Sequence, residues 1–361
     1  MIPIANPIIT EEEKELVNEV MDSGMLIMGE YVKEFEKKFA NYSDTEYGVA
    51  TSSGTTALDV ALKSLEIEEG DKIITTPFTF IASSNSILYS KADPIFADIK
   101  EDTFNIDPDS IRALLKEHPD VKALLIVHLF GLPCDMDEIM EIVNKHNLVL
   151  IEDSAQAHGA TFKGRKVGSF GEVSTFSFYP TKNMTTSEGG IVLTDDKEIM
   201  KRARLLVNHG SPQKYHHDIL GYNYRMTNIS AAIGLVQFKK LDEFNKQRQA
   251  NAEKLTDGLN DLEWLETPVI PDDRKHVFHQ YTIKTEFRNE LLAYLKENEI
   301  GYGIHYPMPT YDQKLYQKLG YKDTRCPVTE KLCDQVVSLP VHPALSEEDI
   351  DYIIDKLRSF R

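Results

Sequence analysis

The chain has 361 residues, 41% apolar and 27% charged, an ordinary globular composition that excludes disordered, collagen-like and coiled-coil chains and suggests about two domains. With 58 acidic against 40 basic residues the formal charge is -18, which disfavours nucleic acid and anionic membranes as partners while leaving open a small phosphorylated ligand in a locally basic pocket. Cys134, Cys326 and Cys333 are odd in number and scattered, unlike a disulfide framework or zinc site, and neither a signal peptide nor a membrane-length apolar run is evident, so a soluble cytoplasmic protein is expected.

In chain order, short apolar runs alternate with helical patterns from Tyr47 to about Asp196, the signature of βαβ units and a mostly parallel sheet. Strands are predicted at Tyr47–Thr51, Lys72–Thr75, Pro94–Ile99, Ala123–His128 and Leu148–Ile151, with helices at Thr56–Leu65 and Met136–His146. Two more strands follow at Val173–Phe178 and Gly190–Thr194. Ser230 to about Leu259 reads as one long helix, uninterrupted by proline. After a proline-bearing connection at Thr267–Asp273 comes an α+β unit. It comprises strand Gln280–Thr285, helix Asn289–Asn298, a strand near Gly303–His305 and a final helix Glu347–Phe360. The pattern change places a boundary near residue 245, giving a large domain over 1–245 and a small α+β domain over 246–361.

Three segments combine into one chemistry. Thr51-Ser52-Ser53-Gly54-Thr55-Thr56 passes from strand through a small-residue turn into a helix, whose first N–H groups and dipole suit an anion, although an ordinary Ser-capped helix has the same look. Glu152-Asp153 ends an apolar strand, where open α/β sheets bind ligands. A carboxylate there could hold a proton on a heteroaromatic nitrogen, bind a metal or cap the next helix; no second ligand at metal spacing accompanies it. Lys182 lies just beyond a buried strand, in Ser177-Phe178-Tyr179-Pro180-Thr181-Lys182, where desolvation would lower its pKa and favour a nucleophilic amine. A phosphate turn, a strand-end Asp and a desolvated Lys are what pyridoxal phosphate needs to anchor its phosphate, keep its ring nitrogen protonated and form its Schiff base.

The succession SSGTTAL, PFTFIASSN, IEDSAQAHGA, STFSFYPTKNMTTSEGG, GYNYRMTNISAAIGL and HYPMP resembles the DegT/StrS family of sugar aminotransferases, and the resemblance runs from IPIANPII to SLPVHPALSEEDI. It implies the aspartate-aminotransferase fold (PLP fold type I) and the cofactor pyridoxal 5'-phosphate. By resemblance, Lys182 would bind the cofactor covalently and Asp153 would pair with its ring nitrogen. Gln156 would stand beside the ring hydroxyl and Phe80 would stack on the ring. Gly54, Thr55, Thr56 and Ser177 would hold the phosphate. Asn223 would cross a homodimer interface to the neighbour's cofactor phosphate, and Arg225 would face the charged part of the substrate. His305 and Tyr306 match the family's nucleotide-sugar-binding segment, while His216-His217 lies just upstream of GYNYR. The implied reaction moves an amino group from L-glutamate to a keto-sugar nucleotide (UDP-, dTDP- or GDP-linked), with the keto group at C3 or C4. The branch of the family that deoxygenates has histidine in place of the lysine, which this chain keeps. A cyclic ketone of the inosose type as acceptor, or a non-catalytic regulator on the same fold, are the alternatives.

Overall fold

The computed structural model describes residues 1–361. Helices α1 (Glu11–Ser23) and α2 (Glu30–Tyr42) precede strand β1 (Tyr47–Thr51), which turns into α3 (Gly54–Ser64). There follow β2 (Lys72–Thr75), α4 (Ile81–Tyr89), β3 (Asp93–Phe96), α5 (Pro108–Glu117), β4 (Val121–Val127), α6 (Met136–His146) and β5 (Val149–Asp153). A small ribbon, β6 (Thr161–Phe162) and β7 (Arg165–Lys166), leads to β8 (Val173–Ser177) and β9 (Gly190–Thr194). Then α7 (Lys197–Val207) and the long α8 (Asn228–Leu259) are followed by β10 (Arg274–Lys275), β11 (Tyr281–Lys284), α9 (Arg288–Glu297), α10 (Lys314–Lys318), α11 (Pro327–Cys333), β12 (Val336–Leu339) and α12 (Glu347–Arg358).

The main sheet has strand order β1-β9-β8-β5-β4-β2-β3. Only β9 runs against the others, being antiparallel to both β1 and β8. The sheet is therefore mostly parallel, as expected, and the C-terminal ends of β1, β5 and β8 lie along one edge. Strand β4 shows how both faces are buried. Ala123, Leu125 and Val127 pack into one apolar cluster, and Leu124 and Ile126 into another, as the period of two requires. Each such Leu or Ile contributes about 1.5–3 kcal/mol when fully buried.

Local chemistry sets the element ends. Ser53 and Thr56 form a capping box at the start of α3, and Thr227 caps α8 through the Ser230 N–H. Asp135 caps α6, which stops at Asn147 in the left-handed region (φ 51). Helix α8 runs on without a break, with Leu235 and Leu241 in a core shared with α2 and Ala252, Leu255 and Leu259 in the core of the C-terminal unit. That second core packs α8, α9 and α12 around the β11–β12 pair, and Ile2 bridges to Ile300 on its edge.

Two expectations change. The segment near Gly303–His305 forms no strand: Gly303 makes only an isolated bridge to Ser338, and the chain then turns into the cavity described next. The strand expected at Pro94–Ile99 ends at Phe96, and Ile99 instead bridges back to Ile106. Helices α1, α2, α4, α5, α7, α10 and α11 and strands β6, β7, β10 and β12 were not among the predicted elements.

Candidate active site

A cavity of about 650 Å³ opens where the C-terminal sheet edge meets the C-terminal unit. Sites for small molecules span roughly 300–1,000 Å³. Gly54, Thr55, Phe80, Asp153, Gln156, Ser177, Lys182, His305 and Tyr306 all line it, although they come from five separate segments.

The α3 side of the cavity is a polar cradle. The Ser53 hydroxyl accepts from the Thr56 N–H at 3.2 Å, and the Ser53 N–H donates to the Thr56 hydroxyl at 3.0 Å. Thr56 is thus occupied by the cap and does not line the cavity, while the N–H groups of Gly54 and Thr55, at the first two helical positions, point out of the helix without an intrahelical acceptor. Gly54 is required by the packing: a Cβ there would stand 2.6 Å from Cβ and 2.9 Å from Oγ of Ser177. Gly190 serves the same turn from below, since a Cβ on it would meet the Ser53 carbonyl at 2.3 Å. Donors at a helix N-terminus beside a serine hydroxyl form an anion receptor.

Asp153 is buried at the end of β5. Its Oδ2 accepts from the Ser83 hydroxyl at 2.7 Å and its Oδ1 from the Ala155 N–H at 3.1 Å. Burial pushes its pKa up, opposed by those two donors and by the charge of Lys182. Lys182 has no hydrogen-bond acceptor for its amine in the chain. Burial pulls its pKa down to about 8, with Asp153 acting the other way. An amine so adjusted is a usable nucleophile and base near neutral pH.

The remaining walls are held by neutral hydrogen bonds. Gln156 accepts the Phe130 N–H at 2.7 Å and donates to the Tyr306 hydroxyl at 3.1 Å. His305 is hydrogen-bonded through Nδ1 to the Ser338 hydroxyl at 2.8 Å, and burial with nearby Lys182 lowers its pKa to about 4. His158 reaches the Ser177 carbonyl through Nε2 at 2.8 Å. It is neutral, its pKa lowered to about 3 by burial first and Lys182 second, so Nε2 carries the proton and donates.

Behind Asp153, Glu152 and His128 form a fully buried pair at 2.9 Å. The Glu152 carboxylate also accepts the N–H groups of Gly168, Phe170 and Gly171 at 2.7–2.8 Å. Burial alone would raise its pKa, yet these partners, His128 foremost, hold it below the usual range.

Other expected residues stand outside the cavity. Exposed Asn223 bridges to Asn208, and Arg225 donates to the Asn208 side chain at 2.8 Å while its backbone pairs with Thr51. His216 and His217 sit on an exposed loop, where His217 bonds the His209 carbonyl at 2.9 Å. Ser83, His158, His279 and Gln280 escaped sequence reasoning. Ser83 and His158 stood inside quoted motifs, whereas the HVFHQ stretch carried no pattern of its own.

Comparison with known proteins identifies the family. Residues 7–358 match the sequence model of the DegT/DnrJ/EryC1/StrS aminotransferase family. A pleiotropic regulatory protein of Geobacillus stearothermophilus is 41% identical over 97% of this chain and 94% of its own. A UDP-N-acetyl-3-dehydro-alpha-D-glucosamine 3-aminotransferase of Acidithiobacillus ferrooxidans is 40% identical over 95% of this chain and 92% of its own. Among solved structures, S. venezuelae DesV in complex with a ketimine intermediate superposes with a TM-score of 0.94 at 37% identity, covering 97% of this chain and 94% of that one. With sequence model, relatives and fold in agreement, the chain belongs to the DegT/DnrJ/EryC1/StrS aminotransferase family.

Proposed function

We propose that this chain is a pyridoxal-phosphate-dependent aminotransferase that transfers the amino group of L-glutamate to the keto group, at C3 or C4, of a nucleotide-linked sugar, giving an amino-sugar nucleotide for glycan biosynthesis. The observation that carries the reading is the lining of one cavity by Lys182, Asp153 and the Gly54–Thr55 helix start. The donor set fits the cofactor. The N–H groups of Gly54 and Thr55 and the Ser177 hydroxyl would take its phosphate. Asp153 would pair with its ring nitrogen, a cation that offsets the cost of burying the carboxylate. Gln156 would lie beside the ring hydroxyl, and Phe80, 57% exposed at the cavity mouth, would stack on the ring. Lys182 would bind it covalently.

When bound, pyridoxal phosphate supplies an electron sink for cleavage of a C–H bond next to nitrogen. The protein does the rest. Lys182 Nζ takes the proton from the α-carbon of the amino donor as a base and gives it up as an acid within the same half-reaction; in the second half-reaction it delivers a proton to the sugar carbon that carried the keto group. Asp153 keeps its negative charge against the ring nitrogen. Ser83 and the Ala155 N–H fix the carboxylate in place. His305 and Tyr306, which line the cavity, would contact the nucleotide sugar, a substrate class that the name of the Acidithiobacillus relative supports.

We assign Asn223 and Arg225 to the active site of a second copy in a homodimer. Their position beside the cavity supports this, as do the exposed apolar side chains of Met25, Ile27, Tyr215 and Leu220, surface that a partner would cover. The cytoplasm is the proposed location, supported by three buried, unpaired cysteines. No helix is long and apolar enough to cross a membrane.

The test is reconstitution with pyridoxal phosphate, then incubation with glutamate and a panel of 3-keto and 4-keto nucleotide sugars, with products read by mass spectrometry and NMR. Formation of an amino-sugar nucleotide together with 2-oxoglutarate is expected. A colourless protein that the cofactor cannot reconstitute would favour a regulatory role, which the name of the Geobacillus relative brings forward.

A further inference from the structure

His279 is a buried histidine whose ring has no partner. It is 5% exposed, and its imidazole makes no hydrogen bond within the chain. Each of the other buried histidines is held through at least one ring nitrogen. His128 bonds Glu152 and the Cys134 N–H, His158 the Ser177 carbonyl, His276 the Phe278 N–H and His342 the Pro3 carbonyl. An unsatisfied buried polar group costs on the order of 1–3 kcal/mol, and one that also lines a cavity, as His279 does, is placed to be satisfied by a ligand.

The backbone that carries this ring is, by contrast, anchored at several points. Gln249 donates to the His276 carbonyl at 2.7 Å, Asn183 to that of Val277 at 2.8 Å, and Arg248 to that of Phe278 at 3.1 Å. The N–H groups of Val277 and Gln280 reach the carbonyls of Gly131 and Phe130 at 3.0 and 3.3 Å. Gly131, at φ 98, admits this approach: a Cβ on it would lie 2.8 Å from Cγ2 of Val277 and 3.1 Å from the His279 backbone nitrogen. Phe278 is held at φ 45, a conformation that persists only where its surroundings over-determine it. The strap from His276 to Gln280 is thus a rigid mount, and it delivers His279 and Gln280 to the cavity that Lys182 and Asp153 line.

The electrostatic setting selects the ligand. After burial, the groups acting most on the His279 ring are Lys182, Arg248, His305 and His158, and together they keep it neutral. Arg248 is 5% exposed, contacts only the carbonyls of Phe278 and His279, leaves Nε unpartnered and pairs with no carboxylate. A buried cation without a counter-charge favours an anion nearby. A sugar hydroxyl would gain nothing from that charge.

We propose that His279, mounted by Arg248, receives the carboxylate of the amino donor by donating its ring N–H. The proposal rests on the aminotransferase reading above; in it His279 is a donor-binding residue and Arg248 a positioning residue.

The test uses cofactor-loaded protein and follows the two half-reactions separately by absorbance. For His279→Ala, the concentration of glutamate giving half-maximal rate should rise about tenfold or more, a loss of about 1.4 kcal/mol, with the keto-sugar half-reaction nearly unchanged. His279→Gln, which keeps a donor, should recover part of the affinity. Calorimetric titration with 2-methylglutamate, which has no α-proton to lose, should show the same weakening without turnover. Arg248→Lys should fold, raise the glutamate requirement and leave the keto-sugar half-reaction alone. Unaltered glutamate affinity in a folded, cofactor-loaded His279→Ala protein overturns the assignment, and so does a selective loss of keto-sugar affinity. Failure of the wild-type protein to bind pyridoxal phosphate, or to carry out either half-reaction, overturns the underlying reading instead.

Discussion

Ser83, on the first turn of α4, donates its hydroxyl to Oδ2 of Asp153 at 2.7 Å. The bond ties the helix that follows Phe80 to the carboxylate at the end of β5, so the proposed stacking ring and ring-nitrogen partner share one support. The cost of burying Asp153 is only partly offset by Ser83 and Ala155, and its pKa stays raised.

Asp153→Asn should therefore separate stability from function. A carboxyl whose folded pKa lies above its unfolded value penalises folding once the pH exceeds that range. Removing the charge should leave the cofactor-free protein at least as stable as wild type at pH 7, read as an equal or higher Tm. Turnover should fall by roughly 10²–10⁴-fold, because the charge on the ring nitrogen loses its partner.

Lys182→Ala should abolish turnover and the absorbance of the covalently bound cofactor. In the wild-type protein stripped of cofactor, the rate of covalent attachment of pyridoxal phosphate should climb with pH and level off above about 8, as the amine loses its proton. Stopped-flow absorbance across this range checks the value. A rise continuing to the ordinary lysine range would mean that the amine is not desolvated.

Glu152→Gln should destabilise strongly, because it leaves His128 without its charged partner and weakens three backbone hydrogen bonds. Breaking a buried pair costs about 3–5 kcal/mol. The wild-type carboxylate has a lowered folded pKa, so its contribution is complete at neutral pH and is lost as acid takes the solution below the usual carboxylate range. Chemical denaturation at several pH values should show a flatter acid limb in the variant.

Gly54→Ala should damage the phosphate cradle in spite of the better helix propensity of alanine. The added methyl would lie 2.6 Å from Ser177 Cβ, and overpacking of this kind costs about 1–3 kcal/mol. Cofactor affinity, titrated spectroscopically, should fall about tenfold or more.

Mixing subunits tests the shared site. If Arg225 serves the neighbour's cavity, Lys182→Ala and Arg225→Ala homodimers should each be impaired. Hybrids formed after refolding together would contain one site with both residues intact. Random pairing makes half the dimers hybrid, so about a quarter of wild-type activity should return. No recovery would place Arg225 in the cavity of its own subunit.

Local patterns made much of the fold legible. The helix Met136–His146 has its observed ends because apolar spacing, the Asp135 cap and Asn147 all act within a few residues. The strand Tyr47–Thr51 and the Ser53 turn were legible for the same reason. Short elements without periodicity were not. Helix α4 is rich in Ser and carries little amphipathic signal, and β12 is four buried residues whose strand character comes from pairing with β11.

By itself the sequence determined which groups could do chemistry: a lysine and an aspartate following buried strands, and a small-residue turn opening a helix. These depend on residue type and near neighbours. The tertiary structure decided which groups meet. Gln156 reaches Tyr306 across 150 residues, and Ser83 reaches Asp153 across 70. Thr56 turned into its own cap while Gly54 and Thr55 faced the cavity. The same packing buried His279 unpaired beside a cation without a counter-charge, although HVFHQ looks like any strand approach. Such juxtapositions follow from burial and long-range packing, which no local pattern encodes. The acidic surplus is a property of the whole chain; the two buried cations acting on His279, Lys182 and Arg248, come together only because folding places them there.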